Sequence, residues 1–445
     1  MSEHVGYVVK INGLTKHPNA DRLQLVDFFG NTVIVGLDCA EGDIGIYFPV
    51  DLQLSEEYCN ANNLVRKKDE NDNNIGGYLE PDKRNIRAMK LRGAKSDGLF
   101  MPISSLAFTG IHYEDFKIGD RIDIVNGIEI CRKYIPRGHN YVSSVNKVNK
   151  TCKHKIPIAP LFAEHADTEQ LAYNLGAFKL GDQIEITLKM HGTSQRTGYL
   201  PVLKGYKRTI WDYIMRRDGI PIYDWGYVSG TRRVVLDDWD KGGFYGSNAF
   251  REQHAKAFEG KLHKGETVYY EVVGFTDTGA SIMSSVDNKK ISDKEFTKQY
   301  GPTTVFSYGC ENKQSDFYVY RMTMTNEDGD VVEYTPDFMR YRCEQMGVKY
   351  VPVFRKTYLN KEDFTENNIE DVITPGDYVK FLAEVYYDGP DPVGKTHVRE
   401  GVVVRIVNRP SFTAYKHKNF SFKVLEGLAK DVADAPDMEE VQEEN

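Results

Sequence analysis

No run of about 18 apolar residues occurs anywhere in the 445-residue chain, so a membrane-spanning helix is not expected. The opening, MSEHVGYVVK, lacks the apolar core of a secretory signal and reads as strand. Cysteine is scarce. The six are Cys39, Cys59, Cys131, Cys152, Cys310 and Cys343, and no two form a CxxC or similar pair. Neither a zinc knuckle nor a disulfide framework is therefore expected, and a reducing, cytoplasmic location fits best. An excess of positive charge is missing too, since the formal net charge is −8. That deficit sits at one end. From Asp431 the sequence DVADAPDMEEVQEEN holds seven acids and no base, and without it 57 bases face 58 acids. A near-neutral body can still carry basic patches, so nucleic acid is not excluded. Residues 431–445 read as a solvated, disordered acidic tail.

What remains is ordinary globular composition, 40% hydrophobic and 27% charged, enough for two or three cores. In residues 1–130 the β-rich runs VGYVVKI, LQLVDFF, NTVIVGL and GIYFPV alternate with turn residues, the pattern of a small barrel. Within it, Arg66–Gly77 (RKKDENDNNIGG) reads as a flexible insertion. Residues 131–155 are basic, polar and weakly periodic, and are expected to be a linker with a possible role touching phosphates. Residues 156–430 form a second domain. His165–Leu175, Asn248–Leu262 and Pro336–Met346 read as helices; QIEITLKM, TVYYEVVGF, DFYVYRMTM, VVEYT, YVKFLAEVY, GVVVRIV and FSFKVLE read as strands. The irregular mixture predicts an α+β fold rather than a doubly wound sheet.

The chemistry points to Lys189-Met190-His191-Gly192-Thr193-Ser194, which follows an alternating strand and breaks at a glycine. A lysine at a strand end, held by a turn, can be aimed into a pocket. Desolvation or nearby cations would favour the neutral amine, which can attack a phosphate. Alone the pattern is weak. Later elements strengthen it: Arg232 and Arg233 in SGTRRV, Glu271 in YYEVVGF, Tyr320 in DFYVYRM, Glu400 in EGVVVR, and Lys416 and Lys418 in YKHK. In this order the six resemble the motifs of the covalent nucleotidyltransferase superfamily, which holds RNA ligases, DNA ligases and capping enzymes. The resemblance covers residues 185–425. It implies an ATP-grasp-like ligase catalytic domain with antiparallel sheets and flanking helices, in which Lys189 carries AMP. It also implies that an arginine of the Arg232–Arg233 pair meets phosphate or ribose, Glu271 binds the ribose, Tyr320 stacks on adenine and Glu400 is linked to the metal.

These assignments make physical sense. Cations must neutralise the α-phosphate as charge moves to pyrophosphate. Lys416 and Lys418 alternate with His417, so both point to one face of a strand. Glu271 and Glu400 can hold a hydrated divalent metal, Mg2+ or Mn2+, or ribose hydroxyls. Tyr320 offers a π-face to a purine and Val403 could cover its other side. Each residue has a plainer reading: Tyr320 as core, Glu271 as a strand-edge charge, Arg232 and Arg233 as a solvated pair, Lys416 and Lys418 as edge-strand gatekeepers. All six plain readings holding together is the weaker account.

His191 separates the branches, since the KxHGTN pattern is that of one group of RNA ligases, whereas DNA ligases and capping enzymes place Asp there. The sequence departs from that group at Ser194, where Asn is usual, at Arg405, where Lys is usual, and at Leu188, which some relatives replace by an acid near the adenine amine. HPNAD from His17 and KLRGAKSDG from Lys90 resemble tRNA-binding OB modules over residues 5–105, with Lys90, Arg92 and Lys95 as phosphate contacts. An OB domain ahead of the catalytic one is similar to the Deinococcus-type RNA nick ligases. Only about 20 residues follow YKHKNFSFKVLE, too few for a trailing OB domain. The expectation is a monomeric, ATP-dependent RNA ligase that seals 3′-hydroxyl/5′-phosphate nicks in RNA repair. A DNA ligase, a capping guanylyltransferase and a non-catalytic RNA-binding protein are the alternatives.

Overall fold

The computed structural model describes residues 4–50, 52–68, 74–134, 157–166, 168–214, 219–236, 238–239, 245, 247–291, 293–362, 374–425 and 429–432. They divide into two compact units. One lies within Met1–Val142, Asp287–Pro302 and Phe420–Asn445, the other within Ser143–Val286 and Thr303–Asn419. Among the described residues no helix is long and apolar enough to cross a membrane.

In the first unit, strands Gly98–Pro102, Ile44–Pro49, Gly6–Lys10 and Arg121–Ile122 form a sheet in that order, and Thr15–Lys16, Leu23–Phe28 and Asn31–Gly36 form a meander. Phe28 pairs with Asn31 across a two-residue turn, Phe29-Gly30, whose φ values of 53° and 72° are the pair that a twisted hairpin requires. Val8, Ile46, Phe48, Leu52, Tyr58, Leu106 and Ile122 form the core beneath. The barrel expected from the sequence is only approached. Asp97 N donates to Thr32 O at 2.8 Å and Ile34 N to Ser96 Oγ at 3.0 Å, but the ladders of the described strands do not close into a ring.

The second unit holds two antiparallel sheets. The first runs Glu169–Gln170, Thr413–Lys418, Gly401–Ile406, Gln183–Leu188, Val353–Tyr358, with only the Glu169–Gln170 edge parallel to its neighbour. The second runs Val235–Leu236, Ile220–Gly230, Thr193–Lys207, Glu266–Gly274, Ser315–Thr325, Val331–Glu333. Alternation sorts the first sheet. Ile184, Ile186, Val402, Val404, Ile406 and Tyr415 bury one face against Tyr378, Val379, Leu382 and Ala383 of helix Pro375–Tyr386. Glu185, Thr187, Val403, Arg405 and Ala414 are thereby left on the other face. The second sheet buries Val268, Tyr270, Val272, Val319 and Met322 against helices Ala249–Lys256 and Pro336–Met346.

Three sequence expectations are corrected. YVKFLAEVY, read as strand, lies in helix Pro375–Tyr386, where a Thr374–Asp377 capping box and a proline in the first turn outweigh its β-branched and aromatic content. FSFKVLE falls mainly in helix Phe420–Leu425. His165–Leu175, read as helix, instead carries the Glu169–Gln170 strand and a 3-10 turn, Leu171–Tyr173, because pairing with Tyr415 and Lys416 captures its backbone. Helix Pro336–Met346 has the expected bounds, with Thr335 as N-cap and Gly347 closing it at φ 68°. Cys131–Lys133, assigned to the linker, pairs with Leu52–Leu54, and Asp431 and Val432, assigned to the tail, pair with Lys90 and Leu91. The rest of the linker from 135 on, the 69–73 part of the insertion and the tail from 433 lie outside the described residues.

Candidate active site

Leu188 ends one sheet and Thr193 begins the other, so Lys189–Gly192 is the bridge between them. Three of its four backbone N–H groups are held. Lys189 N donates to Gly401 O at 3.0 Å, His191 N to Tyr308 Oη at 2.7 Å, and Gly192 N to Glu271 Oε1 at 3.1 Å. A Cβ on residue 192 would stand 2.3 Å from Val272 O, so only glycine lets the bridge approach the Glu266–Gly274 strand. Thr193 Oγ1 accepts from Arg251 Nη2 at 2.6 Å, and the Ser194 and Tyr320 hydroxyls lie 2.8 Å apart.

These residues open on a cavity of about 430 Å³, within the range of small-ligand pockets. Lys189, His191, Gly192, Arg232, Glu271, Tyr320, Glu400 and Val403 all line it, from positions 214 apart in sequence at the extremes. Arg232 lines the cavity, and Arg233 is not among its lining residues. Lys416 and Lys418 are not lining residues. They pair directly with Val403 and Gly401, which puts both on the cavity face of the first sheet. Tyr320 occupies a bulge: Tyr269 pairs with Arg321 and Tyr270 with Val319, leaving Tyr320 as the extra residue. Bulges re-aim side chains, and this one presents Tyr320 to the cavity.

The centre of charge is Glu400, 2% exposed. Its Oε1 receives Lys189 Nζ at 2.6 Å and Lys418 Nζ at 3.3 Å; His191 Nδ1 is 3.8 Å from Oε2. Burial alone would raise its pKa, but Lys189 and Lys418 together hold it well below the usual carboxylate range. Glu271 goes the other way. Burial, reinforced by the negative Glu400 and opposed by Lys189, pushes it up to about 7. Burial, seconded by the positive charge of Lys189 and Lys418 and opposed by Glu400, drops His191 to about 3, so its ring is neutral near pH 7. Two neighbouring carboxylates thus titrate far apart, as in sites that handle charge.

A divalent cation fits here in part. Among the described residues no group of three or more His, Cys, Asp and Glu side chains could hold one. Glu400 Oε2, however, is buried without a hydrogen-bond partner, and Glu271 lines the same cavity. One or two carboxylates with waters and substrate phosphates is the usual arrangement for such an ion.

The Naegleria gruberi RNA ligase matches throughout. A lysine-to-methionine mutant of it, with AMP and manganese, is 17% identical, with a TM-score of 0.57 and coverage of 96% of this chain and 99% of that one. The same ligase with pyrophosphate gives 15%, 0.55, 95% and 98%. A glutamate-to-alanine mutant with ATP and manganese gives 16%, 0.56, 96% and 99%. This chain shares their fold. No protein-family model and no curated protein sequence matches it.

Several lining groups escaped the sequence reading because their partners are remote. Arg405, in the place where the resembling motif has Lys, donates to Tyr334 O at 2.8 Å and meets Glu333, which also takes a two-pronged bond from Arg321. Both guanidiniums stack on Phe412. Arg340 clamps Glu185 through two 2.8 Å bonds. In the sequence their signals were Arg405 standing where Lys is usual, and the charge of Glu185 and Arg405 on strands otherwise apolar on alternate residues.

Lys90, Arg92 and Lys95 belong to the first unit, on the hairpin Ala88–Leu91/Ala94–Ser96. Arg92 and Gly93 turn at φ 44° and 91°, and Lys90 stands directly opposite Lys95. The HPNAD segment holds this hairpin. The buried His17 ring bonds Leu91 O at 3.2 Å, and Asn19 Nδ2 donates to Arg92 O at 2.8 Å. The two segments singled out in the sequence therefore form one feature. Lys95 Nζ also lies 4.9 Å from the Phe420 ring centroid.

Proposed function

We propose that the chain is an ATP-dependent RNA ligase that carries AMP on Lys189 and joins a 3′-hydroxyl to a 5′-phosphate, with RNA on the 3′-hydroxyl side of a nick. The observation that carries this reading is the convergence of Lys189 and Lys418 on one buried oxygen of Glu400, at a cavity also lined by Glu271, Arg232 and Tyr320. A lysine bonded to a buried carboxylate could be a mere structural pair. A second cation on the same oxygen, an unsatisfied Oε2 and an open nucleotide-sized cavity are what a structural pair does not need.

In this reading Lys189 Nζ, once deprotonated, attacks the α-phosphorus of ATP. The N–P bond forms as the bond to pyrophosphate breaks. Lys418, Lys416 and Arg232 supply positive charge to the phosphates, and Glu271 and Tyr320 hold ribose and adenine. Mg2+ or Mn2+, held by Glu400 and Glu271, would offset carboxylate charge that otherwise favours the ammonium form of Lys189. AMP then passes to the RNA 5′-phosphate, and the 3′-hydroxyl displaces it. The first unit acts as an OB-like module that grips RNA phosphates through Lys90, Arg92 and Lys95. The fold shared with a ligase seen with ATP, AMP and manganese is consistent with a nucleotide in this cavity. The test is the mass of the tryptic peptide containing Lys189 after incubation with ATP and a divalent metal. An AMP adduct on that lysine is expected; an adduct elsewhere, or none, overturns the reading.

A further inference from the structure

The Thr193–Lys207 strand is 15 residues long, yet Glu266–Gly274 pairs only with its Thr193–Gly198 part. Beyond Gly198 its ladder partner is Ile220–Gly230, whose pairs continue to Lys207–Ile220. The outer part is thus a two-stranded arm whose base is backed by Ala159 and Phe162 on Leu200 and Val228, with Leu203 N donating to Ile158 O at 2.8 Å; the part beyond, Lys204–Lys207, is roughly 13 Å long at about 3.3 Å per residue. Two-stranded ribbons are marginal by themselves, so an apolar tip needs a reason. Ile210 is 79% exposed, Trp211 72% and Ile220 67%, with Tyr206 and Ile222 beside them. The tip is also basic. Lys204, Lys207 and Arg208 stand there against Asp212. Asp212, in the short helix Ile210–Ile214, accepts from Thr209 N and Thr209 Oγ1 at 2.7 Å each.

Exposed aromatic and aliphatic side chains interleaved with cations suit single-stranded nucleic acid, where bases stack and phosphates are neutralised. The arm also springs from Thr193, next to the lysine bridge, so whatever it holds is kept at a fixed reach from Lys189. Resting on the ligase reading, we propose that this arm is a second RNA-binding element. Trp211 covers an unpaired base, and Lys204, Lys207 and Arg208 meet the phosphates of a single-stranded segment flanking the break. Nothing in this depends on the hairpin of Lys90 and Lys95.

The experiment measures equilibrium binding of a labelled nicked duplex, with and without a single-stranded flank, by full-length protein at several salt concentrations. Trp211→Ala should weaken binding of the flanked RNA roughly five- to hundredfold, the range of one base–aromatic stack. Trp211→Phe should recover most of it. The triple variant Lys204→Gln, Lys207→Gln, Arg208→Gln should lower the log–log salt slope by about 2, since each phosphate contact contributes about 0.7 on single strands. This triple variant removes no apolar packing, so it decides if Trp211→Ala misfolds. Wild-type affinity and slope in both variants overturn the proposal. So does a Trp211-dependent sedimentation with anionic phospholipid vesicles with RNA binding unchanged, which makes the tip a membrane contact. Lysyl-AMP formation by the wild type is scored separately. Its failure sinks the ligase reading, whereas the arm stands or falls on RNA affinity.

Discussion

Two groups of cations in this molecule are built on opposite terms. Lys189 and Lys418 point at one oxygen of a 2%-exposed carboxylate, and their charge is answered where it stands. Lys90 and Lys95 face each other across a hairpin, an arrangement of like charges that costs stability. That hairpin is held by backbone acceptors, Leu91 O and Arg92 O, which fix its position, and Lys95 lies over the Phe420 ring rather than on a buried carboxylate. Charge compensated inside a cavity is suited to one reacting atom. Charge left standing on a rigid surface is suited to a polyanion that brings its own counter-charge. The first should therefore fail by loss of chemistry, the second by loss of affinity.

The largest expected effect is that of Lys189→Ala. It should abolish the AMP adduct and the sealing of a 5′-phosphate nick, yet still seal a nick that is already adenylylated, because the missing steps are bypassed. Normal adduct yield in that variant, by mass spectrometry, would remove Lys189 as the nucleophile.

Next come Lys416→Ala and Lys418→Ala. Losing a charged hydrogen bond costs about 1.5–3 kcal/mol, or roughly ten- to more than a hundredfold in rate if spent on the transition state. The loss should appear in single-turnover adenylylation with the melting temperature nearly unchanged for Lys416. Lys418→Ala should also reduce stability, since it takes a partner from buried Glu400. If both variants simply unfold at the working temperature, the pair is structural and the contrast with the hairpin collapses.

The hairpin variant Lys90→Glu with Arg92→Glu should keep adenylylation, which needs no RNA, while nick binding weakens. The salt slope should fall by about 2, one for each lost phosphate contact. An unchanged slope would reduce the hairpin to a packing feature.

The smallest effect concerns pH. Glu271 is pushed up to about 7, so between the ordinary carboxylate value of 4.5 and 7 the folded state holds a proton the unfolded state has released. Stability from this group is therefore present at low pH and lost as pH rises through that window. Glu271→Gln should flatten that decline in denaturant titrations at pH 5, 6 and 7. A decline of unchanged steepness would mean that Glu271 is ionised throughout.

How much of this was legible in the sequence depends on how local each signal is. The strand before Lys189, the glycine at 192 and the alternation of Lys416 with Lys418 are patterns of a few residues, and the structure places them as the pattern implies. Helix Pro336–Met346 was readable because its cap and its terminating glycine are adjacent in sequence. Pro375–Tyr386 was misread for the opposite reason. Its aromatic and β-branched residues favour strand, and the burial of Tyr378, Val379, Leu382 and Ala383 on one side is visible only against the sheet they cover. The buried Arg321–Glu333–Arg405 set and the bulge at Tyr320 depend on register between distant strands, which no short window contains.

The four-residue bridge Lys189–Gly192 is in effect the spine of a book whose covers are the two sheets. Fully extended, the chain from Leu188 to Thr193 spans at most roughly 18 Å at about 3.6 Å per residue. At the spine the two sheets cannot part further than that, and any widening of the cavity must come from the lining residues away from it, such as Arg232 and Phe412. Lys189 is bound into the spine, and its reach to Glu400 is set by a length of chain.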